Sequence, residues 1–205
     1  RVLVSDLGGR AGMALKAKEF GIDLDDKAAA ELTERLKRLE AEGYQFEAAD
    51  ASLELLMREA TGWRQPYFRL EGYRVTSYHR NAVRGGVPIE DGESMLDTEA
   101  TVKVWAGDER LVAVGEGNGP VDALDSALRA VLCDRYPELR RIHLTDYRVR
   151  VLEGSGQTDA VVRVLIESTD GDATWSTVGV SENVIEASWR ALADSFVYGL
   201  LHAPQ

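Results

Sequence analysis

LEGYRV at Leu70–Val75 and LTDYRV at Leu144–Val149 open two passages that run in parallel to the end of the chain. TEATVKVW (Thr98–Trp105) is answered by TDAVVRVL (Thr158–Leu165), and VAVGEGNGPVDALDSAL (Val112–Leu128) by STVGVSENVIEASWRAL (Ser176–Leu192). Three segments recur in one order, with connections of unequal length. In each copy all three segments begin with apolar and polar residues alternating at period two, as half-buried strands do, and the third runs on into a helical pattern. The reading is a β-β-β-α unit used twice, and a duplicated unit has a seam where a ligand can bind. The expected class is α+β, with unit one over 67–136 and unit two over 142–201, together a domain at 65–205.

Local signals support that reading. Tyr73, Val75 and Ser77 alternate with Arg74, Thr76 and Tyr78, and Val102 and Val104 with Thr101 and Lys103. Gly107–Glu109 and Asp170–Asp172 carry the chemistry of tight hairpins. The helices are expected over Pro120–Cys133 and from Glu182 to about Leu200. Between the first two strands of copy one lies a Gly- and acid-rich connection, about 80–97, whose length marks a functional or mobile segment, with mobility the expectation. Copy two crosses the same gap near Gly154–Gln157.

Ahead of the repeats the period is helical from Arg10 to about Ala60. Ala28, Leu32, Leu36 and Leu39 form one stripe, ended by Gly43; Leu53, Leu56, Met57 and Ala60 form another, with Asp50 or Ser52 as its N-cap. Residues 1–64 read as a helical linker subdomain whose apolar stripes need a partner surface. The chain starts RVLVSD without methionine and reads as a piece of a longer polypeptide.

The formal charge of -11 repels phosphate backbones and anionic lipid, and no Lys/Arg cluster offsets it, which argues against nucleic acid and membrane as partners. A single cysteine, Cys133, excludes intramolecular disulfides and favours the reducing cytoplasm; it reads as a small buried hydrophobe. His79, His143 and His202 lack metal-ligand spacing, no serine sits in a nucleophile elbow, and Asp25/Asp26 look like a solvated helix start. Trp63, Trp105, Trp175 and Trp189 read as core anchors. No metal site and no catalytic constellation is expected within this chain.

Two features point to binding. GEGNGP (Gly115–Pro120) lacks the Gly-x-Gly-x-x-Gly spacing and Lys-Ser/Thr of phosphate loops, and reads as a turn with Gly117 and Gly119 at positive φ and Pro120 opening a helix. Its free amides can receive a carboxylate, since Gly119 has no side chain in the way. Asp122 and Asp125 complement the helix dipole. On the first two strands of copy two, Leu144, Tyr147, Val151, Ala160 and Val162 suit an aliphatic pocket, with Asp146 or backbone carbonyls to meet an ammonium. The same residues would also suit an ordinary sheet face covered by the unit's own helix.

RVLVSDLGGRAGMALKAKEFGIDL, GYQFEAADASLELL, GNGPVDALDSAL, LTDYRVRVL and WSTVGVSENVIEASWRALADS together resemble the C-terminal half of the citramalate synthase and 2-isopropylmalate synthase family, with GYQFEAADAS and ALADSFVYGL closer to the citramalate synthases. The resemblance implies an enzyme whose N-terminal TIM barrel, absent here, binds a divalent metal and condenses acetyl-CoA with a 2-oxo acid. This chain would supply the linker and a regulatory domain that binds the pathway's end product, isoleucine or leucine, at a homodimer interface. Motif matching places the effector site on Val121, Leu144, Tyr147, Val151, Ala160 and Val162, closed by the loop of Ser181, Asn183 and Val184; Gly119 and Asp146 join it on the residue chemistry given above. Where family linkers carry Ser-Gly-Arg or His-Ser-Gly-Lys, this chain has Gly8-Gly9-Arg10, which leaves Tyr44 as the candidate contact to a partner's active site.

Overall fold

The computed structural model describes residues 10–80, 83–84, 87–88, 95–152 and 160–203. The elements run α1 (Arg10–Glu19), α2 (Asp26–Ala41), α3 (Asp50–Ala60), β1 (Arg69–Arg80), β2 (Val83–Arg84), β3 (Val87–Pro88), β4 (Met95–Ala106), β5 (Glu109–Gly117), α4 (Pro120–Leu132), a 3-10 turn (Pro137–Arg141), β6 (His143–Leu152), β7 (Val161–Thr169), β8 (Thr174–Ser181) and α5 (Val184–Leu201). Two three-stranded antiparallel sheets, β1-β4-β5 and β6-β7-β8, are each followed by a helix, so the fold is the α+β duplication expected. β1 and β4 pair as far as Arg80 and Met95, and β2 pairs with β3 within the long connection of copy one. The mobility expected of 80–97, the short gap at Gly154–Gln157 and the Gly8-Gly9 departure fall largely or wholly outside the described residues.

The chain forms two compact units, one of residues 66–140 and one of residues 1–65 with 141–205. In the first, α4 buries Val121, Leu124, Leu128 and Leu132 against Ala100, Val102 and Val104 of β4. In the second, the sheet is covered on both sides. α5 lies over Val162, Val164 and Ile166, while Met13, Leu32, Leu36, Phe46, Leu53 and Met57 of the N-terminal region form one cluster with Val178 and Val180 on the opposite face. The partner surface that the amphipathic stripes require is therefore the second repeat's own sheet.

The repeat is written in its glycines and its bulges. A side chain on Gly115 would meet the backbone of Ala127 in α4, and one on Gly179 the backbone of Ala187 in α5, so glycine lets each helix close onto its last strand. Register shifts lie between Leu70 and Gly72 on β1 and between Leu144 and Asp146 on β6. An extra residue in the strand turns the following side chains by one face. Leu144 and Tyr147, three apart, consequently share the α5 side of the sheet, opposite Ser168 and Ile166.

The hairpins form where turn chemistry placed them. Gly107 takes φ 64° and Gly171 φ 95°, and the Asp170 carboxylate accepts from the amides of Asp172 and Ala173 at 3.0 and 2.8 Å. Those backbone donors hold the Asp170 carboxyl below its ordinary range. Asp25 caps α2 by accepting from Ala28 N at 2.7 Å, and Gly43, at φ 108°, follows the end of that helix.

Three local expectations fail. Gly117 and Gly119 do not have positive φ; Gly119 is extended at φ -172°, and Gly117 is required because a Cβ there would crowd Ala123 N and Asp122. The N-cap of α3 is Ala49, without a side-chain bond; Asp50 lies one residue inside, and Ser52 is drawn into tertiary bonds instead. Of the four tryptophans, Trp175 and Trp189 are buried whereas Trp63 and Trp105 are half-buried, Trp105 donating to Glu71 at 3.0 Å. Cys133 is half-buried, and desolvation pushes its thiol pKa up, away from reactivity.

Candidate functional site

β6 is an edge strand, and α5 covers its neighbours without covering it. Tyr147, Val149 and Val151 sit opposite Ile166, Val164 and Val162 and thus face the helix side, yet they are 39%, 43% and 67% exposed. Their cross-strand partners are at most 9% exposed. A strip of apolar side chains on the inner face of a sheet, open to solvent, is the hallmark of a surface meant to be covered. The row Val151, Val162, Ser181 crosses all three strands in register and leads to Val184, itself 39% exposed, at the start of α5.

Tyr147 is tied to that helix. Its hydroxyl lies 3.1 Å from Ser188 Oγ, and Ser188 Oγ donates to the Val184 carbonyl at 2.6 Å, so the phenol is the donor of the pair. The structure thereby gathers Leu144, Tyr147, Val151, Val162, Ser181 and Val184 on one face. Ala160 is exposed just ahead of β7.

Asp146 does not join them. Strand alternation sends it to the opposite face from Tyr147, where it pairs with Arg148 at 2.7 Å and accepts from the Tyr147 amide at 2.9 Å. Asn183 is also committed, since its side-chain oxygen accepts from Ile185 N and Glu186 N and caps α5. Gly119 and Val121 belong to the other compact unit, at the start of α4, where no side chain caps the helix and Asn118 N donates to Asp122 at 2.9 Å. A helix start with uncapped amides can bind a carboxylate; a capped one cannot do so without displacing its cap. Tyr44 stacks on Phe46 with ring centroids 5.6 Å apart and lies beside Arg190.

The sequence reading missed two participants. Val149 shares period two with Tyr147 and Val151 and was legible on that ground; Ser188 was not, because only the crossing of α5 over β6 brings it to the phenol. Among the described residues no group of three His, Cys, Asp or Glu side chains could hold a metal. No described helix is long and apolar enough to cross a membrane.

A duplicated β-β-β-α module that leaves an apolar strip uncovered on its second sheet is, as a class, suited to association with another surface. The profile of the LeuA allosteric (dimerisation) domain matches residues 47–200, and the chain belongs to that family. It is similar to the (R)-citramalate synthase of Streptomyces coelicolor, 51% identical over an alignment of 206 residues that covers 99% of this chain and 36% of the relative. The (R)-citramalate synthase of Aquifex aeolicus is 47% identical over 203 residues, 98% of this chain and 37% of the relative. The 2-isopropylmalate synthase of Thermus thermophilus is 30% identical over 188 residues, 91% of this chain and 49% of that protein. The chain thus spans little more than a third of the citramalate synthases it matches.

Proposed function

We propose that this chain is the C-terminal linker and feedback-regulatory region of an acetyl-CoA-dependent (R)-citramalate synthase, and that it forms a homodimer and binds isoleucine. The observation that carries the reading is the open strip Tyr147–Val149–Val151 on the helix side of β6, in a chain of an allosteric and dimerisation family. Branched aliphatic side chains would pack there, next to Leu144 and Val162. Within the other compact unit, the uncapped amides at the start of α4, around Gly119 and Val121, would receive a carboxylate. Ser181 and Val184 border the strip. On this reading the divalent metal, acetyl-CoA and the condensation belong to an N-terminal barrel elsewhere in the polypeptide. Effector binding would inhibit by favouring one arrangement over another, by about 1–3 kcal/mol as allosteric couplings do.

Leucine is the second candidate effector, favoured by the likeness to a 2-isopropylmalate synthase. A dimerisation module without effector is the third reading, since the family description names that role as well. Titration calorimetry of the chain with isoleucine and with leucine separates them. Heat from isoleucine alone supports the proposal, heat from leucine alone moves the assignment to 2-isopropylmalate synthase, and heat from neither leaves dimerisation as the role.

A further inference from the structure

Within the compact unit of residues 1–65 and 141–205 lies a cavity of about 300 Å³ that the effector reading does not use. Leu39, Leu55, Leu56, Trp189 and Ala193 give it apolar walls, and Asp194 of α5 opens into it. The two oxygens of that carboxyl differ. Oδ2 accepts from Ser52 Oγ at 2.7 Å, and Ser52 in turn accepts the Val178 amide of edge strand β8 at 3.0 Å. Oδ1 makes no hydrogen bond or ion pair, and because no buried side-chain oxygen or nitrogen among the described residues lacks a partner, Oδ1 is open to the cavity.

The charges around the cavity do not compensate Asp194. Arg35 of α2 is engaged by Glu59 of α3 at 2.9 Å. Arg190 of α5 is turned to Glu186 at 3.0 Å, to the Val180 carbonyl at 2.7 Å and to Tyr44 of the segment after α2. Asp194 instead experiences desolvation and, more weakly, the Glu59 carboxylate, which together outweigh the Ser52 hydrogen bond and raise its pKa to about 7. A cavity that lacks one positive charge and is walled by alkyl and indole surface complements an ammonium on a compact apolar body.

We propose that this cavity is a binding site for a small aliphatic primary amine, with its ammonium on Asp194 Oδ1 and its alkyl body against Leu55 and Trp189. The site is separate from the strip on β6 and does not depend on the effector assignment. 3-Methylbutan-1-amine, titrated calorimetrically into the chain, is the probe, with 3-methylbutan-1-ol as its uncharged counterpart. The amine is expected to bind and the alcohol not. Because ionised Asp194 is the receptor, amine affinity should rise about tenfold between pH 6 and pH 8. Asp194→Asn, which keeps the acceptor for Ser52, should abolish amine binding while far-UV circular dichroism is unchanged, and Val151→Asp should leave it intact. Absence of amine binding, equal binding of the alcohol, a flat pH profile, or binding retained by Asp194→Asn would each overturn the proposal. The wild-type pH profile and the alcohol comparison decide it even where Asp194→Asn does not fold.

Discussion

The Tyr147 hydroxyl donates to Ser188 Oγ across 3.1 Å, linking the exposed edge strand of the second sheet to the first turns of the helix that lies over that sheet. Ser188 passes the bond on to the Val184 carbonyl. The phenyl ring of Tyr147 is therefore held in place while its flank stays open, as a pocket wall must be. Tyr147→Phe removes one part-buried hydrogen bond but leaves Ser188 satisfied by Val184, so the expected loss in urea unfolding is about 0.5–1.5 kcal/mol. Tyr147→Ala removes the wall itself. Under the proposed function it abolishes isoleucine heat in calorimetry, whereas Tyr147→Phe retains it.

Val151, at 67% the most exposed apolar residue of the strip, separates stability from association. A carboxylate there remains solvated in the isolated chain, so Val151→Asp should change unfolding free energy by no more than about 0.5 kcal/mol. If the strip is covered by a second copy, the same charge becomes buried without a partner, and sedimentation velocity should show the dimer lost. A dimer of undiminished stability would place the interface elsewhere.

The two helix starts offer an internal comparison. Asn183 caps α5 through two amides, while Gly119, its counterpart in the first repeat, caps α4 with no side chain. Gly119 is extended and a Cβ there meets nothing within 4 Å, so a larger residue fits. Gly119→Asn should raise stability by a few tenths of a kcal/mol, about the usual difference between these N-caps. If those amides receive the effector's carboxylate, the same substitution should weaken isoleucine binding at least tenfold by calorimetry. A variant that is more stable with unchanged affinity would mean that the α4 start takes no part in binding isoleucine.

Gly115 and Gly179 explain why the duplication was legible and parts of the site were not. Both stand at the same place in VAVGEGNGPVDAL and STVGVSENVIEAS because each strand must let a helix backbone approach closely, a demand that acts on residue type and so appears in sequence. The bulges in LEGYRV and LTDYRV leave no such mark: Glu71 and Thr145 are ordinary residues, and only the pairing register reveals that Leu144 and Tyr147 share a face. Period-two reasoning also offered Asp146 as an ammonium receptor without fixing its side of the sheet, and the structure turns it to Arg148. Gly179→Ala would set a methyl against the Ala187 carbonyl, where neither backbone can yield cheaply, and should cost about 3 kcal/mol or more in urea unfolding. Gly171→Ala serves as a comparison: it has open space but φ 95°, so its smaller cost of about 1 kcal/mol reports backbone strain alone.

Asp194 gives the fold a pH dependence opposite in sign to that of most carboxylates. Its pKa is raised from 3.8 to about 7 in the folded chain, chiefly by desolvation. Between those values the native state holds a proton that the unfolded state has released, so stability falls as pH rises from about 4 through 7. Its contribution is fully present below the unfolded value and lost above the folded one. Asp170 and Glu71, with lowered pKa values, add the ordinary opposite slope at lower pH, so the measurement has to be a difference. Asp194→Asn keeps an acceptor for Ser52 but carries no charge to desolvate. Urea unfolding should find the variant close to wild type near pH 4 and more stable than wild type at pH 8, by an amount on the order of a few kcal/mol. Parallel curves for the two proteins across that range would mean that Asp194 ionises normally and that the cavity is well solvated.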